Sequence, residues 1–480
     1  MARSLWEPEE SLHIISRLVI EGDLVLETPA HLGGGEDDGL IDLPLLLDSL
    51  DGKTPLLTGS SVAGALRSYL RLCFGGQESA AEVLLFGPSK EDEEDEAGRL
   101  IVDDALGRAS GVEIRAGVRI DERSRTAQEK KLYEIPLWEA GTIFPLHMEL
   151  QVREEDDKDQ LLSALATALE GFRKGEIRFG ARKRRGLGLG RVTLWRVRNF
   201  DLRNPDDLLT WINQDSELPT SAIPVADISS AFGVTTLPDS REVFSIQAKF
   251  FLEGSLMIRS GGGKEDLGPD AVHLHSRQVG GVVRPVLSGT SLAGALRARA
   301  RKIVRTLVSS ERASRLIDEM FGLEIAKGVS PVASRVIVED SVIEGGRDDL
   351  VQSRVSLDRF TGGAREALLF SEQPLFGGQD ALVDIRFDLV KPKEYEIGIL
   401  LLLLKDLWTG DIPLGAESSV GRGRLTGRRA KLVWQRPAPA ATMSWDIEAQ
   451  PEGLVFHEGD PKVLERFVQD LRHHLMEVTG

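Results

Sequence analysis

At 480 residues and 52.6 kDa the chain is too long for one ordinary core, and two to four domains are expected. A composition of 41% hydrophobic and 28% charged residues is that of a soluble globular protein. The longest apolar stretch, 397–408, carries Lys405 and Asp406 and reads as a buried helix, not a membrane span. MARSLWEPEESL at the start has no basic region leading into an apolar run, and Cys73 has no partner cysteine, so the cytoplasm is the expected location. A net charge of −17 argues against a simple nucleic-acid coat. The signs are segregated, however: acid gathers at 91–96 and 153–159, base at 182–185 and 422–431, which suits basic grooves beneath acidic outer faces.

Residues 1–12 read as a loose lead-in, and HIISRLVIEGDLVLE (13–27) as a strand. After the glycine-rich turn TPAHLGGGEDDG comes LIDLPLLLDSLDGKTPLL, where Asp42 stands in an apolar run and serves either a turn or catalysis. TGSSVAGALRSYLRLCFG (58–75) follows. Gly59 with Ser60 and Ser61 predicts a capped helix start, and Val62, Leu66, Leu70 and Cys73 fall on one inward face. Such a helix N-terminus offers N–H groups and partial positive charge to a phosphate, with Arg67 and Arg71 two turns further on; a plain capped amphipathic helix is the other reading. VRIDERSRTAQEKKLYE predicts a hairpin-like arm projecting from the core. The strand TIFPLHMELQV, the helix DQLLSALATALEGF and the loop FGARKRRGLGLGRVTLW (179–195) close this half. GLGLG runs from helix to strand without GxGxxG spacing, and no GxxxxGK[ST] exists, so no small-molecule nucleotide cofactor is expected. The loop instead offers backbone that can lie against a polyanion, flanked by Arg182, Lys183, Arg184 and Arg185.

The order then repeats. VFSIQAKFFLEGSLMIR (243–259) and SGGGKEDLGPD precede SGTSLAGALRARARKIVR (288–305), where Gly289, Thr290 and Ser291 mark the helix start, Leu292, Leu296, Ile303 and Leu307 the inward face, and Arg297, Arg299, Arg301, Lys302 and Arg305 the base. LFG (85–87) matches MFG (320–322) and IVDDA (101–105) matches VIVEDS (336–341). In the arms, Asp121 and Asp358, Ala127 and Ala364, Leu132 and Leu369, and Tyr133 and Phe370 keep one offset, 358 − 121 = 237. The second glycine loop is LGAESSVGRGRLTGRRAKLVW (414–434), with Arg422, Arg424, Arg428 and Arg429. Residues 201–242 read as a linker; after 436 the chain is extended and then helical over 460–478, with Val463, Phe467, Leu471 and Leu475 forming a face that could dock on a neighbour. One cysteine supplies no zinc motif, and His273, His275, His473 and His474 read as ordinary polar residues.

Each half therefore reads as a β-α-β-β-α-β ferredoxin-like (RRM-like) unit, and the fold class as α+β. AHLGGG, LIDLP, TGSSVAGALR, the arm and GARKRRGLGLG, in that order, resemble the RAMP superfamily, and within it the RNA-cradling backbone subunits of type III CRISPR-Cas effector complexes. The resemblance covers about residues 13–198 and 243–434, and the tandem arrangement is similar to the fused backbone proteins of type III-D systems. It implies two tandem RAMP domains with projecting thumb arms: 1–200 with a thumb at about 113–140, a linker at 201–242, 243–436 with a thumb at about 347–378, and a C-terminal extension at 437–480.

The resemblance further implies that guide RNA lies along a groove, that each thumb disturbs the guide–target duplex, and that an Asp cuts target RNA opposite the thumb, alongside other CRISPR effector subunits and without a membrane. The matching Asp is Asp42, and His31 matches the histidine of the preceding loop. The second half departs from this pattern. His31 has no counterpart in SGGGKED, and counting from the helix places Asp42 on Val272, leaving Asp270 two positions away as the nearest acid. RNA brings its own nucleophile, the 2′-hydroxyl, so a cutter needs in-line geometry, proton removal and charge neutralisation. A divalent metal, Mg²⁺, held by Asp42 and the phosphate would supply much of this; direct general-base action by Asp42 is the alternative. The expected activity is metal-dependent endoribonucleolysis by Asp42 and Asp270. The expected RNA contacts are His31, Ser60, Ser61, Arg67, Arg182, Lys183, Arg184, Arg185, Thr290, Ser291, Arg297, Arg422 and Arg424. A catalytically silent RNA-holding subunit, with Asp42 capping a turn, and a stand-alone guide-processing nuclease are the competing expectations.

Overall fold

The computed structural model describes residues 13–33, 44–88, 97–120, 127–213, 223–260, 268–323, 332–378 and 380–477. In the first half the principal elements are β1 (Ile14–Leu26), α1 (Gly59–Cys73), β2 (Leu100–Val102), the arm strands β3 (Val112–Ile120) and β4 (Ala127–Trp138), β5 (Ile143–Arg153), α2 (Lys158–Lys174) and β6 (Trp195–Asp201). In the second they are β7 (Val243–Glu253), α3 (Gly289–Val304), β8 (Val336–Val338), the arm strands β9 (Gln352–Leu357) and β10 (Ala364–Gln373), β11 (Leu382–Val390), α4 (Glu394–Trp408) and β12 (Arg424–Gln435). β13 (Met443–Gln450), β14 (Gly453–Glu458) and α5 (Pro461–Glu477) follow.

The first sheet runs β2-β5-β1-β6 and the second β8-β11-β7-β12, every adjacent pair antiparallel. In both, the third core strand sits between the first and second, which is the split β-α-β arrangement of the ferredoxin-like unit. The arms branch off between the second and third core strands. β3 and β4 pair from Val112 opposite Trp138 to Ile120 opposite Ala127, and β9 and β10 from Gln352 opposite Glu372 to Leu357 opposite Ala364. The two expected arms are therefore antiparallel hairpins outside the core sheets.

Each half has its own core. α1 buries Val62, Leu66, Leu70 and Cys73, as its spacing predicts. In α3 the buried stripe is Leu292, Leu296, Ala300 and Val304; Ile303 is only partly buried, and Leu307 lies past the helix end and is 44% exposed. The predicted face ran too far because the helix stops at Val304, where small Ala300 completes the stripe. The segment expected as a linker also adds to the first core: Ile228 is buried there, Phe232, Val234 and Leu237 pack against it, and Leu237 N–H donates to Thr167 Oγ1 (2.8 Å).

The C-terminal extension belongs to the second core. β13 pairs with β12 and β14 with β13, widening the sheet. α5 lies on α4, burying Phe467, Leu471 and Leu475. Contact is close: a Cβ on Gly398 would stand 2.4 Å from the Phe467 carbonyl oxygen. α4 is apolar nearly all round because it is covered by the sheet on one side and by α5 on the other. The face of α5 that could have docked on a neighbour is occupied within the chain. Phe467 is fully buried against Trp434 and Trp445. Phe467→Ala should cost about 3–5 kcal/mol, read as a lower denaturant midpoint for the second half with the first half's transition unmoved.

Candidate nucleic-acid interface and cleavage positions

The start of each repeated helix is built in the same way. The capping hydroxyl belongs to the residue before the glycine, not after it: Thr58 Oγ1 accepts from Ser61 N–H (3.2 Å) and Ser288 Oγ from Ser291 N–H (3.3 Å). Gly59 N–H donates to Asp104 Oδ1 and Gly289 N–H to Asp340 Oδ1, each at 2.7 Å. These carboxylates come from the matched IVDD and IVED stretches. A Cβ on Gly59 would lie 2.0 Å from the Val102 carbonyl oxygen, so glycine is what lets helix and strand meet. The phosphate expected at the first N–H of either helix meets the protein's own carboxylate instead. Ser60 and Thr290 are exposed beside these starts, and Thr290 and Ser291 line a groove. Sequence reasoning missed Asp104 and Asp340, although their shared place in the repeat was the available signal.

That groove, of about 1380 Å³, runs between the halves. The first arm contributes Arg115 and Tyr133, the first glycine loop Arg182, α3 contributes Thr290, Ser291 and Arg297, and the second glycine loop Gly415–Ser418. Arg182 sits in the left-handed region (φ 57°), stacks on the Tyr133 ring 4.5 Å away and donates to its hydroxyl (2.7 Å). Lys183 is exposed beside it. Burial lowers the pKa of Arg184, and burial together with Arg297, Arg184 and Arg182 pulls Arg185 down to about 10. Burial is the larger cause in both; the neighbouring arginines add to it at Arg185, where several cations stand close together.

Several expected RNA contacts have other work. Arg67 donates to fully buried Glu82 (2.8 Å) and to the Gly87 carbonyl (2.6 Å), tying α1 to the following helix. Arg185 donates to the carbonyls of Phe321 and Val336, both at 3.2 Å, and so fastens the first half to the second. Arg178 to Glu339 (2.9 Å), Arg277 to Glu139 (2.6 Å), Ser276 to Glu113 (2.7 Å) and Arg115 to Asp340 belong to the same junction. Arg297 lines the groove while paired with Asp318. Arg422 is 3% exposed, held by Glu417 (3.2 Å), Glu372 (3.4 Å) and Gln352 (2.9 Å), so its guanidinium is a buried structural group. Arg424 is exposed on β12, away from the groove lining.

His31 is 3% exposed. Its Nδ1 lies 2.9 Å from the Pro136 carbonyl of the arm; a carbonyl only accepts, so Nδ1 carries the proton. His31 O accepts from Ala181 N–H (3.0 Å), locking the ring between arm and glycine loop. In the second half Ala416 N–H donates to Met257 O (2.8 Å), so Met257 occupies the place of His31. The same matching applies to the acids. Gly33 pairs with Leu45, and Arg259 pairs with His273. Asp42 stands three positions before Leu45, and Asp270 three positions before His273. Further on, Leu56 N–H donates to Leu46 O and Val286 N–H to Leu274 O, a separation of 10 residues in the first half (56 − 46) and 12 in the second (286 − 274). These two extra residues fall in the turn at Gly280–Gly281, between Asp270 and the helix; two more fall earlier, since Gly33 and Leu45 stand 12 positions apart (45 − 33) and Arg259 and His273 14 (273 − 259). Counted back from Leu45 and His273, Asp270 holds the sequence position that Asp42 holds in the first half.

Asp42 itself lies outside the described residues. Asp270 is exposed; its Oδ2 accepts from Ser371 N–H (2.6 Å) and Ser371 Oγ (3.2 Å), which fixes it to the second arm. Near it, His273 accepts from Ile258 N–H through Nδ1 (3.2 Å), and burial pushes its pKa down to about 4, so the ring is neutral. Among the described residues no three His, Cys, Asp or Glu side chains gather as a metal cluster, and no helix is long and apolar enough to cross a membrane.

Comparison with known proteins follows the same division. A curated relative, the CRISPR system Cmr endoribonuclease Cmr4 of Pyrococcus furiosus, is 37% identical over 78 residues, 16% of this chain and 26% of the relative. The chain thus matches about a quarter of that protein's length. The model of the RAMP superfamily matches residues 23–191 and again 252–426, one match for each ferredoxin-like unit. The chain belongs to the RAMP superfamily, as a tandem of two such units.

Proposed function

We propose that this chain is a guide-RNA-cradling backbone subunit of a type III CRISPR effector complex, of the fused kind that type III-D systems carry, and that it cuts target RNA at two positions, one at Asp42 and one at Asp270. The observation that carries the reading is the cation-rich groove between the halves, floored by a left-handed basic loop and walled by an arm on which Arg182 and Tyr133 already stack. A polyanion fits that surface, and a stacked arginine–tyrosine pair gives a base a platform. Sequence would then be read by pairing to the guide, with the protein holding backbone. Arg182, Lys183 and Arg184 hold the RNA here, whereas Arg67, Arg185 and Arg422 hold the protein together. The relative is named an endoribonuclease, which agrees with cutting.

In the cut, the RNA's 2′-oxygen bonds to phosphorus as the bond from phosphorus to the 5′-oxygen breaks. The 2′-hydroxyl proton goes to the carboxylate or bulk base, and the departing 5′-oxygen takes one from water. A hard ion such as Mg²⁺ keeps most of its waters and can draw its other ligands from phosphate, so the Asp270 carboxylate together with the substrate would hold it. When bound it would neutralise charge at the phosphate. Asp270, fixed by Ser371, needs no rearrangement to face the strand lying along the arm.

Asp42→Ala and Asp270→Ala should each remove a different product of end-labelled target RNA, slowing that cut by roughly 100-fold or more, with target binding nearly unchanged. If every band survives both, the chain only holds RNA. Replacing Arg182, Lys183 and Arg184 together by Ala should weaken guide binding for all sequences and reduce the slope of log affinity against log salt by roughly 2. Arg67→Ala should leave that slope alone and lower thermal stability, because it strips a partner from buried Glu82.

A further inference from the structure

The base of the second arm gathers an arginine cluster with no counterpart among the described residues of the first half. Arg259 reaches Glu372 Oε1 at 3.2 Å and Glu417 Oε1 at 3.5 Å; Arg354 reaches Glu417 at 2.9 Å and Glu372 at 3.7 Å; Arg422 reaches the same two acids. Three guanidinium groups face two carboxylates, and burial beside Glu417 pushes the Glu372 carboxyl up, towards its neutral form. The cluster is therefore cationic on balance. Its charge has one outlet: the Arg422 side chain is 4% exposed and Arg354 31%, but Arg259 is 56% exposed. Arg259 lines both the large groove and a smaller pocket of about 330 Å³ whose other walls include Asp270, Phe370 and Ser371.

The first half solves the same problem differently. Its glycine in register with Arg259 is Gly33, and its arm-base cation is Arg182, at the left-handed position that Glu417 takes in the second loop (φ 57° and 60°). The second half has exchanged the loop cation for an acid and carries its exposed cation on the strand beside Asp270. We propose that Arg259 is the phosphate-holding side chain of the second cleavage position, gripping the non-bridging oxygens of the phosphate presented to Asp270. The inference rests on the reading of Asp270 as a cutter. A planar guanidinium takes two phosphate oxygens at once, and Glu372 and Glu417 set its plane in advance. Charge building on those oxygens as the 2′-oxygen attacks is then met by a group already in place.

The test uses the guide-loaded protein in the complex in which it is purified, with end-labelled target RNA at saturating and limiting protein, for wild type, Asp42→Ala, Asp270→Ala, Arg259→Ala and Arg259→Lys. Arg259→Ala should slow the Asp270-dependent product roughly 100-fold at saturation while the Asp42-dependent product forms at its normal rate. Arg259→Lys should restore part of the loss, and the thermal midpoint of both variants should match wild type. If Asp270→Ala removes a product that Arg259→Ala leaves at the wild-type rate, this inference fails alone. If Asp270→Ala removes none, the reading of this half as a cutter fails and the inference goes with it. A lowered midpoint with no rescue by lysine would make Arg259 a structural ion-pair partner and overturn the proposal.

Discussion

The architecture depends on one close approach made twice: a helix start whose glycine touches the backbone of the second core strand. At Gly59 the nearest atom to a Cβ would be Val102 O, and at Gly289 it would be Arg185 O, with Val338 O next. No side chain fits, and the glycine N–H that would otherwise be an orphan donor is taken by Asp104 or Asp340. That pair of constraints sets the helix against the strand, the strand sets the root of the arm, and the arm sets the wall of the groove. In the second half the same glycine also receives the backbone of the first half's basic loop, so the contact that organises a domain organises the junction as well.

Much of this was legible in sequence because repetition exposes what a single copy hides. The two arms, their constant offset and the order of strands and helices come directly from matched stretches, and the structure shows them as hairpins and ferredoxin-like sheets. What sequence could not settle was which cations are spent. Arg67 and Arg182 look alike in a string, but one answers a fully buried glutamate and the other stacks on an exposed arm. Arg422 looked like a phosphate contact from its glycine-flanked setting; the acids that claim it, Glu372 and Glu417, lie 50 residues upstream and 5 upstream (422 − 372 and 422 − 417). Pairing across such distances is set by the fold, and charge counting along the chain does not see it.

The register of the two acids shows a second limit. An alignment anchored on the helix puts the length difference before the acid, although the glycine pair in SRQVGGVVRP, between Asp270 and the helix, offers a place to absorb two residues. The structure puts it at Gly280 and Gly281, both with positive φ and, at Gly280, with open space where a side chain would be. An insertion is tolerated there because it disturbs no packing and meets no hydrogen-bonded ladder. On the other side of Asp270, Arg259 pairs with His273 and Ser260 with Val272, closing a span two residues longer than that from Gly33 to Leu45.

The halves share a fold while dividing the charge differently, and the division follows from what each loop must touch. The first loop, Arg182 to Arg185, faces another folded unit: Arg185 is seated among the carbonyls of Phe321 and Val336, where a cation satisfies acceptors that an apolar side chain would leave bare. In the second loop the four corresponding positions are Glu417, Ser418, Ser419 and Val420, matched through the left-handed residue that opens each turn and the glycine that closes it. Val420 is 61% exposed, and Gln352 stands where the first arm has Arg115. The cations that join one half to the next are therefore absent from the far side of the second half. Freed from that contact, the second loop could take an acid, and the acid is what holds Arg354, Arg422 and Arg259 in place at the arm's base.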